Sequence, residues 1–188
     1  MNVFDFDNTI YDGESSFDFF KFCIRKKPSL IKYMPKVAAM LLRYKTSKVN
    51  KEEVMQFCSD MLYILAENEA GLKESLKLFW SENRKKLKLD LIAMIKTGDV
   101  IISASPSFIF DEIRKELNGA DIISTQVDLV QMKITTLCYG ENKVTEFKKK
   151  YGQIKPDNYY TDNLNDTPML EIAECAWLVN GSEITKYR

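Results

Sequence analysis

Residues 2–10 read NVFDFDNTI, a short apolar run that passes directly into two aspartates, an asparagine and a threonine. This run predicts a β-strand over residues 2–6 that ends in an acidic turn. Asp5 and Asp7 stand two positions apart where that strand ends, so both carboxylates can face one crevice. Turns are rich in aspartate, and the pair is informative only because an apolar strand precedes it and a threonine and an isoleucine follow it.

Beyond this strand, the predicted pattern of secondary structure changes once along the chain. Residues 16–87 are predicted to be almost entirely helical, most clearly at 51–65, where apolar side chains recur at helical spacing. After about residue 87, short helices and strands alternate, which is typical of a parallel sheet covered by helices. The prediction is an α/β fold with an open, Rossmann-like parallel sheet, divided into a core (residues 1–15 and 88–188) and an inserted helical-bundle cap (residues 16–87).

Individual residues predict where elements begin and end. Asn50 and Glu53 have the spacing of a capping box for the helix that follows them. Ser105 and Pro106 suit the N-cap and first turn of a helix over residues 107–117. The remaining predictions are strands at residues 99–103, 121–124, 158–161 and 176–179, helices at 90–96 and 142–151, and a hairpin or two edge strands at 126–138.

Composition excludes several kinds of chemistry. The chain contains no histidine, which excludes Ser-His and Cys-His nucleophile pairs and leaves acid–base work to carboxylates first. Basic and acidic residues balance at 27 each, so no overall basic field would attract nucleic acid. The four cysteines form no CxxC pair and are interpreted as reduced thiols. Without a signal peptide or a membrane-spanning stretch, we expect a cytoplasmic protein that binds neither membrane nor nucleic acid.

Three further polar groups follow predicted strands or begin a helix. Ser103 ends one strand, Lys143 lies in the first turn of a helix, and Asp162 and Asp166 follow another strand in the segment DNLND. Each has a simpler explanation: a turn serine, a solvated lysine, or a helix cap in the case of Asp166. These explanations do not account for the position that the residues share. They are predicted to lie at the carboxyl ends of strands, which is where open parallel sheets bind ligands.

Taken in order, these motifs resemble those of the haloacid dehalogenase superfamily, specifically its phosphoserine-phosphatase-like branch. DFDNT is similar to the first motif of that family, and Ser103 in IISASP to the second. Lys143 in GENK and the acidic DNLND segment are similar to the third and fourth. The resemblance implies a Mg²⁺-dependent phosphomonoester hydrolase that acts on a small phosphorylated metabolite, with a phosphoserine-like ester as one candidate, and a helical cap inserted after the first strand. A phosphotransferase and a non-catalytic binding protein on the same fold are the alternatives.

The same resemblance, together with the oxygen ligands that Mg²⁺ prefers, implies a role for each residue. Asp5 would be the nucleophile that becomes an aspartyl phosphate, and Asp7 would be the general acid and base. The expected metal ligands are Asp5, Asp162, the backbone carbonyl of Asp7, and Asp166 directly or through water. The expected phosphate-binding residues are Ser103, Lys143 and Thr9, and the expected substrate-binding residues are Glu14 and Ser105.

One feature of the phosphoserine phosphatases has no counterpart in the sequence. We find no cap arginine motif of the kind that would bind the phosphoserine carboxylate, and Arg25, Arg43 and Arg84 are candidates only by residue type. A glycine-rich turn in those phosphatases is replaced here by Ser105 and Pro106. The sequence therefore predicts phosphatase chemistry without identifying the substrate or the oligomeric state.

Overall fold

The computed structural model, which describes residues 1–45, 50–65 and 69–188, contains a sheet of seven strands, and the central strands are buried along most of their length. The strand order is β4-β3-β2-β1-β5-β6-β7, with β3, β2, β1, β5 and β6 parallel and the two edge strands antiparallel. The chain moves outward from β1 in both directions, so the crevice at the carboxyl end of β1 is a topological switch point. The strands are β1 (Asn2–Phe4), β2 (Val100–Pro106), β3 (Asp121–Asp128), β4 (Lys133–Thr136), β5 (Asn158–Thr161), β6 (Cys175–Asn180) and β7 (Glu183–Lys186).

Five α-helices of the described residues lie between β1 and β2, and the first four of them fall in the stretch predicted to be helical. These four are α1 (Ser15–Lys26), α2 (Met34–Lys45), α3 (Lys51–Leu65) and α4 (Glu69–Asn83), with 3₁₀ turns at Pro28–Tyr33 and Arg84–Lys86. We call this part of the chain the helical segment; positions 46–49 and 66–68 of the predicted cap lie outside the described residues. The remaining helices are α5 (Leu89–Met94), α6 (Glu141–Tyr151) and α7 (Thr167–Ile172). The treatment of the helical segment as a separate cap domain stays a prediction.

The capping box at the start of α3 is confirmed. The backbone N–H of Glu53 donates to Asn50 Oδ1 over 2.8 Å, and the backbone N–H of Asn50 donates back to Glu53 Oε2 over 3.4 Å. No helix among the described residues is long and apolar enough to cross a membrane.

The two faces of the sheet belong to two different apolar clusters, because successive side chains of a strand point to opposite faces. Val3 and Tyr159 pack with Phe147 of α6 and with α7. Phe4 and Tyr160, their neighbours in sequence, pack on the other face with the helical segment. By this alternation Asp5 continues the row of Val3 and falls on the α6 side of the sheet.

The beginning and end of the helical segment are held together beside β1. Leu87 forms an isolated bridge with Tyr11, and the backbone N–H of Asp12 donates to Lys86 O over 2.8 Å. The carboxylate of Asp18, on the first turn of α1, accepts bonds from the Tyr11 hydroxyl (2.9 Å) and the Lys86 ammonium (2.7 Å). These contacts place the N-terminal turn of α1 directly next to the carboxyl end of β1.

One predicted helix is wrong. Residues 107–117 form two 3₁₀ turns, Ser107–Phe110 and Arg114–Leu117, instead of a single α-helix. The carbonyl of Ile109 accepts a 2.8 Å bond from the Trp80 indole, while the Ile113 N–H turns back to Phe110 O at 3.1 Å. With its carbonyl bonded to Trp80, Ile109 is not paired with Ile113 as in an α-helix, and the bond from Ile113 to Phe110 is of the i to i−3 type found in 3₁₀ turns.

Other boundaries differ by a few residues. Strand β1 ends at Phe4, two residues before the prediction, because the Phe6 carbonyl already accepts bonds from Ile10 and Tyr11 in a turn. Ser105 and Pro106 are the last residues of β2, and no α-helix begins there; Pro106 instead precedes the 3₁₀ turn at Ser107–Phe110. The hairpin prediction for residues 126–138 is confirmed by the β3–β4 pair, whereas β7 was not predicted. Asn180 and Gly181 carry the sequence signal of the β6–β7 hairpin.

Candidate active site

Lys143 connects two of the predicted site carboxylates. Its ammonium nitrogen lies 2.7 Å from Asp5 Oδ1 and 2.7 Å from Asp166 Oδ2, and all three side chains are buried. Burial raises the pKa of Asp5 well above its usual value, an effect that Lys143 opposes. Burial alone would lower the pKa of Lys143, but the two carboxylates outweigh it and raise that pKa. Lys143 therefore stays cationic and is not a solvated helix lysine.

Asp166 is held by more than this ion pair. Its Oδ2 also accepts hydrogen bonds from the Tyr159 hydroxyl (2.7 Å) and the Thr161 hydroxyl (2.9 Å), both from β5. Asp166 occupies the N-cap position of α7, but its side chain makes no capping hydrogen bond. The carboxylate is thus used in the site and does not cap the helix. Tyr159 was not predicted from the sequence, since a tyrosine in an apolar strand resembles any core aromatic.

We expect removal of the Lys143 charge to destabilise the metal-free protein. Lys143→Met would leave Asp5 and Asp166 buried without a counter-ion, which typically costs roughly 3–5 kcal/mol of the free energy of unfolding. Urea unfolding in a chelator measures this loss, with the exposed Lys148→Met on the same helix as the matched control. Adding Asp166→Asn to Lys143→Met should recover part of the loss, because one uncompensated charge is then gone. Equal unfolding free energies for Lys143→Met and Lys148→Met would contradict this account of the pair.

Within the part of the chain that the structure describes, three other predicted site residues, Asp162, Thr9 and Ser103, form no hydrogen bond with Lys143. They bond instead to backbone groups or other side chains. Asp162 is half-buried, and burial raises the pKa of its carboxyl. Its backbone N–H donates to Thr9 Oγ1 over 2.9 Å, so the Thr9 side chain ties the loop after β5 to the loop after β1. Ser103 Oγ accepts a 3.0 Å bond from the backbone of Ser105. Both hydroxyl residues are fully buried, and their phosphate-binding roles stay predictions.

The carboxylate of Asp7 is fixed through both of its oxygens. Oδ1 accepts a 2.7 Å hydrogen bond from the backbone N–H of Ser15, and Oδ2 accepts a 2.6 Å bond from the Ser105 hydroxyl. Burial raises the pKa of Asp7, while the bonds from Ser105 and Ser15 oppose that rise. Ser105 thus lies behind Asp7, and the cavity described next is lined by its neighbour Ala104 instead.

A cavity of about 440 Å³ opens at this edge of the sheet and gathers most of the predicted residues. Glu14 is among them, with its Oε1 accepting a 3.1 Å bond from the Asn8 amide. Phe17, Leu42 and Tyr139 also line the cavity and were not predicted, because nothing in their local sequence separates them from core residues. The lining residues are Asp5, Asp7, Asn8, Glu14, Ser16, Phe17, Leu42, Ala104, Tyr139, Lys143, Asp162, Asn163, Asn165 and Asp166.

The three candidate arginines are engaged outside this cavity. Arg25 pairs with Glu82 at 2.6 Å, Arg43 with Glu53 at 3.1 Å, and Arg84 with Glu116 at 2.7 Å. Among the described residues that line the cavity, Lys143 is the one cation, facing five carboxylates.

The donor atoms of the site suit a hard divalent cation. No group of three or more Asp, Glu, Cys or His side chains gathers into a metal cluster within residues 1–45, 50–65 and 69–188. Magnesium does not require such a cluster, since it is usually held by one or two carboxylates, waters and substrate phosphate. The carboxylates of Asp5 and Asp162 and the main-chain carbonyl of Asp7 supply oxygen ligands of this kind, so the residues fit Mg²⁺.

Comparison with known proteins identifies the class. A model of the haloacid dehalogenase-like hydrolase family matches residues 3–171, nearly the whole chain. The protein therefore belongs to the haloacid dehalogenase-like hydrolases, and the predicted superfamily and fold class are confirmed. No curated protein has a sequence that matches this chain.

Solved structures share the fold at low sequence identity. A protein of unknown function from Bordetella pertussis Tohama I aligns with a TM-score of 0.74 and 19% identity, covering 91% of this chain and 85% of that one. A phosphoserine phosphohydrolase-like protein from Francisella tularensis subsp. tularensis SCHU S4 aligns at 0.61 and 18%, covering 94% and 86%. A phospho-aspartyl intermediate analogue of phosphoserine phosphatase aligns at 0.50 and 14%, covering 93% and 83%. The fold is thus the one found in phosphoserine-phosphatase-like proteins.

Proposed function

We propose that the protein is a Mg²⁺-dependent phosphatase that transfers a phosphoryl group to Asp5 and then to water. One observation carries the proposal: two aspartates, Asp5 and Asp7, line the same cavity at the switch point of the sheet. Asp5 is hydrogen-bonded to the buried Lys143. Asp7 is held by Ser15 and Ser105. This arrangement supports a nucleophilic role for Asp5 and a separate proton-transfer role for Asp7. The similar fold of phosphoserine phosphatase, solved with a phospho-aspartyl analogue, supports the same chemistry.

The first step would form a bond between a carboxylate oxygen of Asp5 and phosphorus and break the bond from phosphorus to the leaving oxygen. In this proposal Oδ1 of Asp5 keeps its 2.7 Å bond to Lys143, and Oδ2 would be the oxygen that attacks. Asp7 in its acid form would give its proton to the leaving alcohol. In the second step the Asp7 carboxylate would take a proton from water, whose oxygen forms a bond to phosphorus while the bond from phosphorus to the Asp5 oxygen breaks. Inorganic phosphate is then released and Asp5 returns to its carboxylate form.

Lys143 also addresses the main obstacle to this reaction. A carboxylate that approaches a phosphate dianion meets like-charge repulsion, which a fixed cation offsets in a buried site. Mg²⁺ held by Asp5, Asp162 and the Asp7 carbonyl would supply a second positive charge to the phosphoryl oxygens. Asp166 would contribute to that cation directly or through water, while it keeps Lys143 in place.

Activity should therefore vanish in excess chelator and return when Mg²⁺ is added. The expected loss exceeds about a hundredfold, because both the phosphoryl group and its attacking carboxylate would lack the neutralising charge. Phosphate release from an aryl phosphate measures it, and circular dichroism in chelator checks that the fold persists. Full turnover in chelator would rule out the metal-dependent mechanism.

We further propose that the substrate is a small phosphate ester whose organic group carries no anion. Glu14 and Asp162 line the cavity beside the reacting residues, and Arg25, Arg43 and Arg84 are paired elsewhere. A carboxylate on the leaving group would meet these acidic side chains, whereas Phe17, Leu42 and Tyr139 offer apolar contact. The cavity volume of about 440 Å³ is in the range of small-molecule sites.

Three esters with two carbons beyond the ester oxygen, together with the three-carbon phosphoserine, separate the effects of charge. Ethyl phosphate has no extra charge, phosphoethanolamine adds an ammonium, phosphoglycolate adds a carboxylate, and phosphoserine adds both. We expect kcat/KM to be at least about tenfold higher for the two esters without a carboxylate, a difference of about 1.4 kcal/mol. Glu14→Gln should raise kcat/KM for phosphoglycolate relative to ethyl phosphate. Arg43→Ala should leave the order of kcat/KM among the four esters unchanged. Preference for phosphoserine or phosphoglycolate would overturn the substrate class alone, while no hydrolysis of any ester would overturn the phosphatase proposal itself.

A further inference from the structure

Three serines form a hydrogen-bonded group next to the Asp7 carboxylate, with the Ser105 hydroxyl at its centre. The Ser105 hydroxyl oxygen lies 2.6 Å from Asp7 Oδ2, 2.9 Å from the Ser15 hydroxyl oxygen and 2.8 Å from the Ser16 hydroxyl oxygen. Ser15 is fully buried and Ser105 nearly so, at 0% and 3% exposure. Ser16, by contrast, is exposed, so water is kept from the Ser15–Ser105 bond but can reach the bond from Ser16.

The direction of each bond follows from proton counting. A serine hydroxyl has one proton to donate and two lone pairs to accept with, and an ionised carboxylate only accepts. Ser105 must therefore donate to Asp7 Oδ2, and its oxygen then accepts from both Ser15 and Ser16. All three bonding positions of the Ser105 hydroxyl are used when Asp7 is ionised, which leaves none for a substrate. Bonds linked in this way strengthen one another in a buried setting.

The serines come from two separate parts of the chain. Ser105 lies where the β2–β3 register shifts between Ser103 and Pro106, so it sits on a bulge at the end of the core strand. Ser15 and Ser16 are the first two residues of α1, where the helical segment begins. Ser16 also lines the cavity. The bonds to Ser105 thus join the bulged end of β2, the first turn of the helical segment and Asp7.

We propose that Ser105 is a positioning residue for Asp7, which sets the carboxylate at the leaving group and couples its placement to the first turn of α1. This role rests on the proposed function, in which Asp7 transfers the proton. It differs from the substrate-binding role predicted from the sequence, because the Ser105 hydroxyl is already occupied by protein groups. A loosely held Asp7 would transfer protons less often in the correct geometry, whereas substrate affinity would be unaffected.

Kinetics of Ser105→Ala, Ser105→Thr and Ser107→Ala test the proposal. Ser107 lies two residues further on and contributes nothing to this group, so it is the matched control. For an alkyl phosphate, Ser105→Ala should lower kcat roughly 10- to 100-fold, the scale of one bond to a charged group, with KM within about twofold. Threonine keeps the hydroxyl and should restore most of the rate, and Ser107→Ala should match the wild type. Phenol release in the first turnover of an activated aryl phosphate should be nearly normal in Ser105→Ala, because an acidic phenol needs little protonation.

Each contrary outcome points to a different role. A raised KM with an unchanged kcat would make Ser105 a substrate-binding residue and overturn the proposal. Equal slowing of the alkyl and aryl esters, or unchanged kinetics, would overturn it too. A readout that does not depend on turnover is the crystal structure of Ser105→Ala, in which we expect the Asp7 carboxylate to rotate away from its wild-type position. An unmoved Asp7 would disprove positioning by Ser105, whereas absence of hydrolysis by the wild type would count against the proposed function alone.

Discussion

Asp5→Asn is expected to abolish turnover and leave the fold intact. An amide is too weak a nucleophile to attack phosphorus, so no aspartyl phosphate can form. Loss of a covalent nucleophile has cost an enzyme about 10⁶-fold in kcat, and we expect a loss of at least about 10⁴-fold here. Phosphate release from an alkyl and an aryl ester, each in Mg²⁺, measures the effect.

Stability is the control for this variant. Asparagine has the size of aspartate, and burial disfavours the charged form of Asp5, as its raised pKa shows. Lys143 keeps Asp166 as a partner at 2.7 Å. The free energy of unfolding should therefore change little. Activity above a few per cent of the wild type, with deamidation excluded by mass spectrometry, would remove Asp5 from the role of nucleophile.

Asp7→Asn should separate proton transfer from phosphoryl transfer. General acid–base catalysis is typically worth about 10²–10⁴-fold, or 3–5 kcal/mol of barrier. An alkyl phosphate, whose alkoxide leaves poorly, should lose most of that factor in the first step. An aryl phosphate with an acidic phenol should transfer its phosphoryl group almost normally. Hydrolysis of the aspartyl phosphate would still be slow, since the same residue must activate water.

Rapid-quench measurement with the aryl ester therefore has a specific expected result. Asp7→Asn should release about one equivalent of phenol in a burst and then stall with phosphate held on Asp5. Asp5→Asn, the matched control, should show no burst with either ester. In Asp7→Asn the new amide oxygen would still accept from the Ser15 N–H, so the loop should keep its shape. A burst slowed as severely as alkyl turnover would mean that Asp7 positions the metal or the loop and is not the proton donor.

Much of the fold was predictable because its signals are local. The capping box of Asn50 and Glu53 is contained within four residues, and it is confirmed by the bonds at the start of α3. The switch from continuous helix to alternating helix and strand predicted the parallel sheet and its helical segment. The wrong helix at residues 107–117 has a non-local cause, since Trp80 donates to the Ile109 carbonyl from 29 positions away. A contact of this kind leaves no trace in the local sequence.

The candidate site was predictable in its members and less so in their contacts. The motif order placed Asp5, Asp7, Lys143, Asp162 and Asp166 in one site, and the structure brings these five side chains to one cavity. Tyr159 was not predicted, because its hydroxyl meets Asp166 only after β5 turns into the following loop. Ser105 was assigned to the substrate, yet its hydroxyl contacts Asp7 across 98 positions of the chain.

The sequence by itself determined the resemblance to the family, the alternation of helices and strands after the helical segment and the residues that carry reactive groups, because motifs and periodicity are properties of neighbouring positions. Only the tertiary structure decided which of those groups touch. Lys143 meets Asp5 and Asp166 because the alternation of β1 turns Asp5 to the α6 side of the sheet. Ser105 reaches Asp7 and the start of α1 because a bulge ends β2 beside them. Such contacts depend on strand register and loop path, which arise from packing of the whole chain.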